Sequence, residues 1–152
     1  MTEKCYQITI DPDLRVIAIS FQGKVYPKDM IDLLEDLFQR DEYNPSYSTL
    51  YDFSGSTAIG YQMDIGPFVK RLRELRKADA VQKKVAIIVK TPNQKFLINL
   101  FLKFAPSFNL EIEVFDETDA AVKWVKEDSE IQRKVASLLE KNRQELIKRL
   151  IP

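Results

Sequence analysis

The chain has 152 residues, enough for one domain, and its 23 basic and 23 acidic side chains cancel to a formal net charge of zero. This balance argues against nucleic acid as a partner, because such binding is driven by positive charge. The complete absence of histidine excludes serine or cysteine nucleophiles activated by histidine, and zinc bound through histidine.

The sequence contains a single cysteine, Cys5, so no disulfide can form within the chain. No segment approaches the roughly 18 uninterrupted apolar residues that a membrane helix needs. The first residues also lack the apolar core of a secretory signal. These features predict a cytoplasmic protein with no integral membrane segment.

The first third of the chain predicts a hairpin, a helix and a third strand. Residues 6–10 and 16–21 alternate apolar with polar or small side chains on either side of a Pro/Asp turn, which is typical of antiparallel strands. Residues 27–40 begin with proline and repeat apolar side chains at helical spacing. A short strand over residues 49–53 follows.

A second helix is predicted to begin near Gly66 and Pro67, with apolar residues on its inner face and basic residues, Arg76 and Lys77 among them, on its outer face. Residues 85–89 form a continuous, mostly β-branched run, typical of a strand buried on both faces. This run is the predicted centre of the sheet.

Thr91 and Gln94 have the spacing of a capping box around Pro92, which predicts a helix that ends near Ala105. Residues 110–115 alternate as a fifth strand, and a short helix carrying Ala121, Val122, Trp124 and Val125 follows. A last helix is predicted over residues 129–151, with an apolar face made by Ile131, Val135, Leu138, Leu139, Leu146, Ile147 and Leu150.

The element order ββαβαβαβα predicts an α/β fold with a mixed, mostly parallel sheet and an antiparallel hairpin at one edge. These elements define one domain over residues 5–127. Residues 129–151 form an additional carboxyl-terminal helical extension, for which packing on its own domain and binding to a partner are both open.

The segment Asp52-Phe53-Ser54-Gly55 at the end of the third strand resembles the STAS superfamily, most closely its SpoIIAA-like branch of anti-anti-sigma-factor relatives. The resemblance extends to Ile87-Ile88-Val89, and to Phe115-Asp116 followed by Ala120-Ala121 and Trp124-Val125. It implies a non-enzymatic domain with a partner-switching role and, by the similarity of this branch to Sec14-type domains, a link to lipid binding.

In the best known members of that branch, a serine in an Asp-Ser-Ser-Gly motif eight residues beyond the strand's aspartate is phosphorylated. Here that position is Gly60, followed by Tyr61, Gln62 and Met63, so the usual phosphoacceptor is missing. Asp52, Ser54, Ser56 and Thr57 remain candidates for a phosphoacceptor or ligand loop. The alternative is a purely structural role, in which these serines only form hydrogen bonds with backbone groups in a turn.

The helix that begins at Pro92 carries apolar residues on almost every face, which exceeds what one contact with a sheet requires. Leu97, Leu100, Phe101 and Phe104 form the expected core stripe, and Phe96, Ile98 and Leu102 are surplus to it. Such a surplus is covered by the last helix, by a second copy of the chain, or by a small hydrophobic ligand. The candidate interface or apolar pocket therefore comprises Phe96, Ile98, Phe101, Leu102 and Phe104.

The sequence thus favours a non-enzymatic regulatory or protein-interaction module that binds a protein partner or forms a homodimer. The alternative is a carrier or sensor of a lipid-like molecule. No catalytic, cofactor-binding or metal-binding residues are predicted, because the clustered carboxylates lie at spacings that place them on solvated faces.

Overall fold

The computed structural model of the protein describes residues 4–59, 65–76, 81–103 and 105–149. Its strands are β1 (Tyr6–Asp11), β2 (Val16–Val25), β3 (Ser48–Ala58), β4 (Lys83–Ile88) and β5 (Leu110–Phe115). Its helices are α1 (Pro27–Gln39), α2 (Gly66–Leu75), α3 (Pro92–Leu102), α4 (Thr118–Val125) and α5 (Ser129–Arg149), with a short 3-10 helix over Ala105–Phe108.

The five strands form one sheet in the spatial order β1-β2-β3-β4-β5. The β1–β2 pair is antiparallel, whereas the other three pairs are parallel. The predicted α/β class, with an edge hairpin on a mostly parallel sheet, is therefore confirmed. The predicted centre is wrong, because β3 is the middle strand. Residues 85–89 are uniformly apolar because helices cover both faces of the sheet. A strand next to the centre is covered in this way as fully as the central strand, so the apolar run does not distinguish the two.

The third strand is longer than predicted, since it continues through Ser54 to Ala58. Beyond a register shift at Ser20/Gln22, β2 also continues and pairs its last residues with residues 55–58 of β3. Gly55 permits this close approach, because a Cβ atom there would lie 2.5 Å from Gln22 Oε1 and 3.1 Å from the Phe21 carbonyl oxygen. The segment expected to be a loop is thus largely strand.

Two helical layers enclose the sheet. On one face, α4 and α5 pack on small and branched strand side chains such as Ala18, Leu50 and Ala86. On the other face, α1, α2 and α3 cover the side chains that alternate with these, including Tyr51 and Ile87. Each strand therefore contributes to two cores, as the period of two along a strand requires.

Helix α5 packs along the sheet and is continuous with the core. Val135 and Leu139 are fully buried against β2, β3 and β4 residues, and Leu146 is nearly so. Asn142 bridges two strands: its Nδ2 donates to the Ala18 carbonyl at 3.0 Å, and its Oδ1 accepts from Thr9 Oγ1 at 2.7 Å. Of the predicted apolar face, Ile147 is instead 43% exposed, and Leu150 lies outside the described residues.

Candidate functional site

A cavity of about 140 Å³ lies between the sheet and the three helices α1, α2 and α3. Its walls are almost entirely apolar side chains. They include Val85 and Ile87 of β4, Leu34 of α1, Leu72 of α2 and Phe101 of α3. An engineered apolar cavity of about 150 Å³ stays dry and binds benzene, so a space of this size and lining suits a small hydrophobic molecule.

Helix α3 forms one side of this cavity without being packed tightly onto it. Gln94 is its only buried residue, and the apolar side chains of Leu97, Ile98 and Phe101 that line the cavity are only half-buried. The interface between α3 and the sheet is thus incompletely filled. A helix in this position can shift with less loss of packing than a helix whose apolar face is fully buried.

The amino-terminal end of α3 is firmly attached. The predicted capping box is confirmed, since Thr91 Oγ1 accepts from the Gln94 backbone N–H at 3.1 Å. The Gln94 side chain also donates to the carbonyls of Phe53 and Ser56 at 2.9 Å each, which fastens the helix to the end of β3. The rest of α3 has only half-buried apolar contacts.

The structure separates the five residues predicted as an interface or pocket. Ile98 and Phe101 line the cavity, and so does Leu97, which was expected only in the core stripe. Phe96 points away and is 61% exposed, and Leu102 is half-buried. Phe104 lies outside the described residues. The apolar surplus of α3 therefore divides between a cavity wall and an exposed aromatic side chain.

One end of the cavity is lined by two buried basic side chains, Arg76 and Lys83, which are 5% and 9% exposed. Arg76 Nε donates to the Phe108 carbonyl at 2.7 Å, and its Nη2 donates to the Val81 carbonyl at 2.8 Å. Lys83 Nζ donates to Thr49 Oγ1 at 3.0 Å. These partners are all neutral, so neither positive charge is balanced by a carboxylate among the described residues.

Two tyrosines lie near these basic side chains, and of the two only Tyr51 lines the cavity. The Tyr43 ring centroid is 5.6 Å from Lys83 Nζ, and burial raises the pKa of the Tyr43 hydroxyl while the Arg76 charge opposes that rise. Burial also raises the pKa of Tyr51, which lines the cavity. Burial, assisted by repulsion from Arg76, lowers the pKa of Lys83 to about 7.

The sequence analysis missed both basic residues. Arg76 was expected on the outer face of the second helix, which is wrong because the helix ends at Leu75 and Arg76 takes an extended backbone conformation that turns its side chain inward. Lys83 has a sequence signal that could have been used. It shares the strand period of two with Val85 and Ile87, which face the cavity.

Asp52 lies on the opposite face of the sheet from the cavity, whereas Phe53 and Ser56 of the same segment line the cavity. Asp52 is 1% exposed, and its Oδ2 is 2.6 Å from Nη2 of Arg143 on α5. Its Oδ1 accepts from the Ser54 hydroxyl at 2.6 Å and from the Ser54 backbone N–H at 3.0 Å. Both oxygens are therefore engaged, Oδ2 in a contact that connects β3 to α5 and Oδ1 in contacts within β3.

The remaining candidates of that segment differ in accessibility. Ser56 is buried, and its hydroxyl donates to the Phe53 carbonyl at 2.8 Å, whereas Thr57 is exposed. Gly60 to Met63, where the family's phosphoacceptor would fall, lie outside the described residues. The structure brings Asp52 and Ser54 together and separates both from the cavity.

Within the described ranges, no group of histidine, cysteine, aspartate and glutamate side chains is arranged to hold a metal ion. The helices of the same ranges include none that is both long and apolar enough to cross a bilayer.

Comparison with known proteins identifies relatives of the fold. A family model described as SpoIIAA-like matches residues 16–126. A crystal structure of an uncharacterized protein from Shewanella loihica PV-4, of the DUF3478 family with a SpoIIAA-like fold, aligns with a TM-score of 0.51 at 19% sequence identity. The alignment covers 83% of this chain and 98% of that one. No curated protein matches significantly.

Proposed function

Because this chain belongs to the SpoIIAA-like family, we propose that it is a non-enzymatic binding module that holds a small hydrophobic molecule in the cavity beneath α3. The observation that carries this proposal is the cavity itself. It lies between the sheet and three helices and is lined by apolar side chains from all of them.

An empty cavity of this kind is costly to a fold. Its apolar lining side chains lack packing partners on one side, and these lost contacts reduce stability. A ligand that fills the space would restore these packing contacts, because its own apolar groups would be buried against the cavity walls. The half-buried face of α3 supplies an entrance, because this helix is fastened mainly at its first turn by Gln94.

Filling the cavity from within should prevent binding. We expect 1-octanol to raise the melting temperature of the wild-type protein. Ile98→Trp should lower the apparent affinity derived from this shift by at least about tenfold, because an indole ring would occupy the space of the ligand. Differential scanning fluorimetry over a range of 1-octanol concentrations measures both effects.

The matched control is Phe96→Trp, which places the same ring on the exposed face of the same helix. This variant should respond to 1-octanol as the wild type does. An equal response from Ile98→Trp, or no response from the wild type, would contradict the proposal.

Protein interaction is the second candidate function, and the exposure of Phe96 favours it. Phe96 is 61% exposed on the surface of α3, and aromatic side chains are enriched in protein interfaces. We expect a homodimer at micromolar concentration that Phe96→Ser converts to monomer, as measured by sedimentation velocity. Ile147→Ser, at an exposed position of α5, is the control, and a monomeric wild type would refute self-association through this surface.

A further inference from the structure

We propose that the ligand of the cavity carries a carboxylate at one end, held between Arg76 and Lys83. This inference rests on the proposed function, since it specifies the chemistry of the molecule that the cavity binds. It assigns to these two residues the selection of an anionic head group, and to the walls formed by α1, α2, α3 and the sheet the binding of an apolar tail.

The first support is the charge balance at the basic end of the cavity. A guanidinium group cannot lose its proton in a protein, so Arg76 remains charged although it is 5% exposed. Buried charges are normally paired, because removing an ion from water without a counter-ion costs several kcal/mol. None of the described residues that line the cavity is acidic, so a carboxylate on the ligand would supply a counter-charge that these residues do not.

The second support is a hydrogen-bond donor left over on Arg76. Its Nη1 is buried and has no hydrogen-bond partner, and Arg76 lines the cavity. Nε and Nη2 of Arg76 are already fixed by the carbonyls of Phe108 and Val81, which hold the guanidinium in place. Unpaired buried donors are rare in folded proteins, and this one belongs to a side chain that lines the cavity.

The third support is that Lys83 can adjust its charge. Thr49 Oγ1 accepts one hydrogen bond from its amine, which leaves the other positions of the nitrogen for a ligand. The titratable groups around it are Arg76 at the end of α2, Tyr43 after α1 and Tyr51 on β3, and Phe108 and Leu110 add no charge. A bound carboxylate would favour the protonated amine, so that Arg76 and Lys83 would both be charged around the bound group.

Three ligands with the same eight-carbon tail and different head groups separate the contribution of the head group to the binding free energy from that of the tail. Isothermal titration calorimetry at pH 8 with octanoate, 1-octanol and octylamine should give the order octanoate, then 1-octanol, then octylamine. We expect octanoate to bind about tenfold more tightly than 1-octanol, because hydrogen bonds to charged groups contribute more than those between neutral groups.

Binding of octanoate should also take up a proton. At pH 8 most Lys83 amines are neutral, since the pKa is about 7 in the empty site, and the carboxylate makes the charged form more favourable. Titrations in phosphate and in Tris, which differ in ionisation enthalpy, should reveal an uptake approaching one proton per octanoate. No uptake is expected with 1-octanol.

Lys83→Met tests the assignment with little risk to folding, because it replaces a buried amine by an apolar side chain of similar length. The variant should lose the proton uptake and most of the preference for octanoate over 1-octanol. Its affinity for 1-octanol should remain that of the wild type. Lys84→Met is the matched control: Lys84 is the next residue, and its Nζ donates to the Trp124 carbonyl on the other face of the sheet. This control should behave as the wild type.

The outcomes distinguish the two proposals. Equal affinity for octanoate and 1-octanol in the wild type, or undiminished proton uptake in Lys83→Met, would overturn the carboxylate assignment and leave the hydrophobic cavity standing. Failure of both octanoate and 1-octanol to bind would refute the proposed function, and the assignment with it.

Discussion

Replacing Leu139 with alanine is expected to lower the free energy of unfolding by about 2–5 kcal/mol, the range for truncating a large buried aliphatic side chain. Leu139 is completely buried in the core that α5 shares with β2, β3 and β4. The truncation would leave a void that this closely packed core can fill only in part. Urea unfolding followed by circular dichroism measures the loss as a lower midpoint at unchanged slope.

Ile147→Ala is the matched control for this prediction, since it removes a similar volume from the same helix at a position that is 43% exposed. Its cost should stay within about 0.5 kcal/mol. If Leu139→Ala were as harmless as this control, α5 would be a detachable arm and could not form part of the core. The large difference expected between the two variants therefore tests whether residues 129–149 are integral to the domain.

The second large effect is a dependence of stability on pH that originates at Lys83. Its pKa is lowered by burial and by repulsion from Arg76 to about 7, from an ordinary value of 10.5. Between these two values the unfolded chain binds the proton that the folded chain has lost, so stability rises with pH. From pH 7 to pH 9 we expect an increase of about 2 kcal/mol in the free energy of unfolding, from at most about 1.4 kcal/mol per pH unit.

Lys83→Met isolates this contribution from other titrations. The folded state raises the pKa of Cys5 to about 11 from 9.0, which reduces stability above pH 9 and sets the upper limit of the comparison. Between pH 7 and pH 9 the variant should lose the rise that the wild type shows. Urea unfolding at five pH values measures both proteins, and parallel pH profiles would mean that Lys83 is protonated in the folded state throughout.

Much of the fold is encoded locally, which is why the sequence predicts it. The alternation in β1 and β2, the apolar run of β4 and the capping box of Thr91 and Gln94 each depend on a few neighbouring residues. Segments with such local signals were assigned to the correct type of element.

The errors arise where a distant partner decides the structure. Ser54 to Ala58 look like a loop because small hydroxyl residues favour turns, yet pairing with the extended end of β2 makes them strand. Arg143 contacts Asp52 across 91 positions of sequence, and no periodicity could have indicated that ion pair. The candidate loop at Asp52 is in consequence a buried connection between β3 and α5.

The candidate cavity was predictable only in part. The apolar surplus of α3 indicated that something besides the sheet lies against this helix, and Ile98 and Phe101 do line a cavity. The basic end could not be foreseen, because it depends on where α2 ends and on a long-range convergence of Arg76, Lys83 and Tyr43. Charged residues of an amphipathic helix pattern are ordinarily assigned to the solvent-exposed face, and for Arg76 that assignment is wrong.

The most direct test of the account locates a ligand within the protein. With carbon-13-labelled octanoate, isotope-filtered nuclear Overhauser spectra should connect the methylene protons of the ligand to the side chains of Ile87 and Ile98, which both line the cavity. The protons next to the carboxylate should contact the Tyr51 ring at the basic end. Contacts confined to exposed residues such as Phe96, or no contacts at ligand saturation, would contradict binding in the cavity.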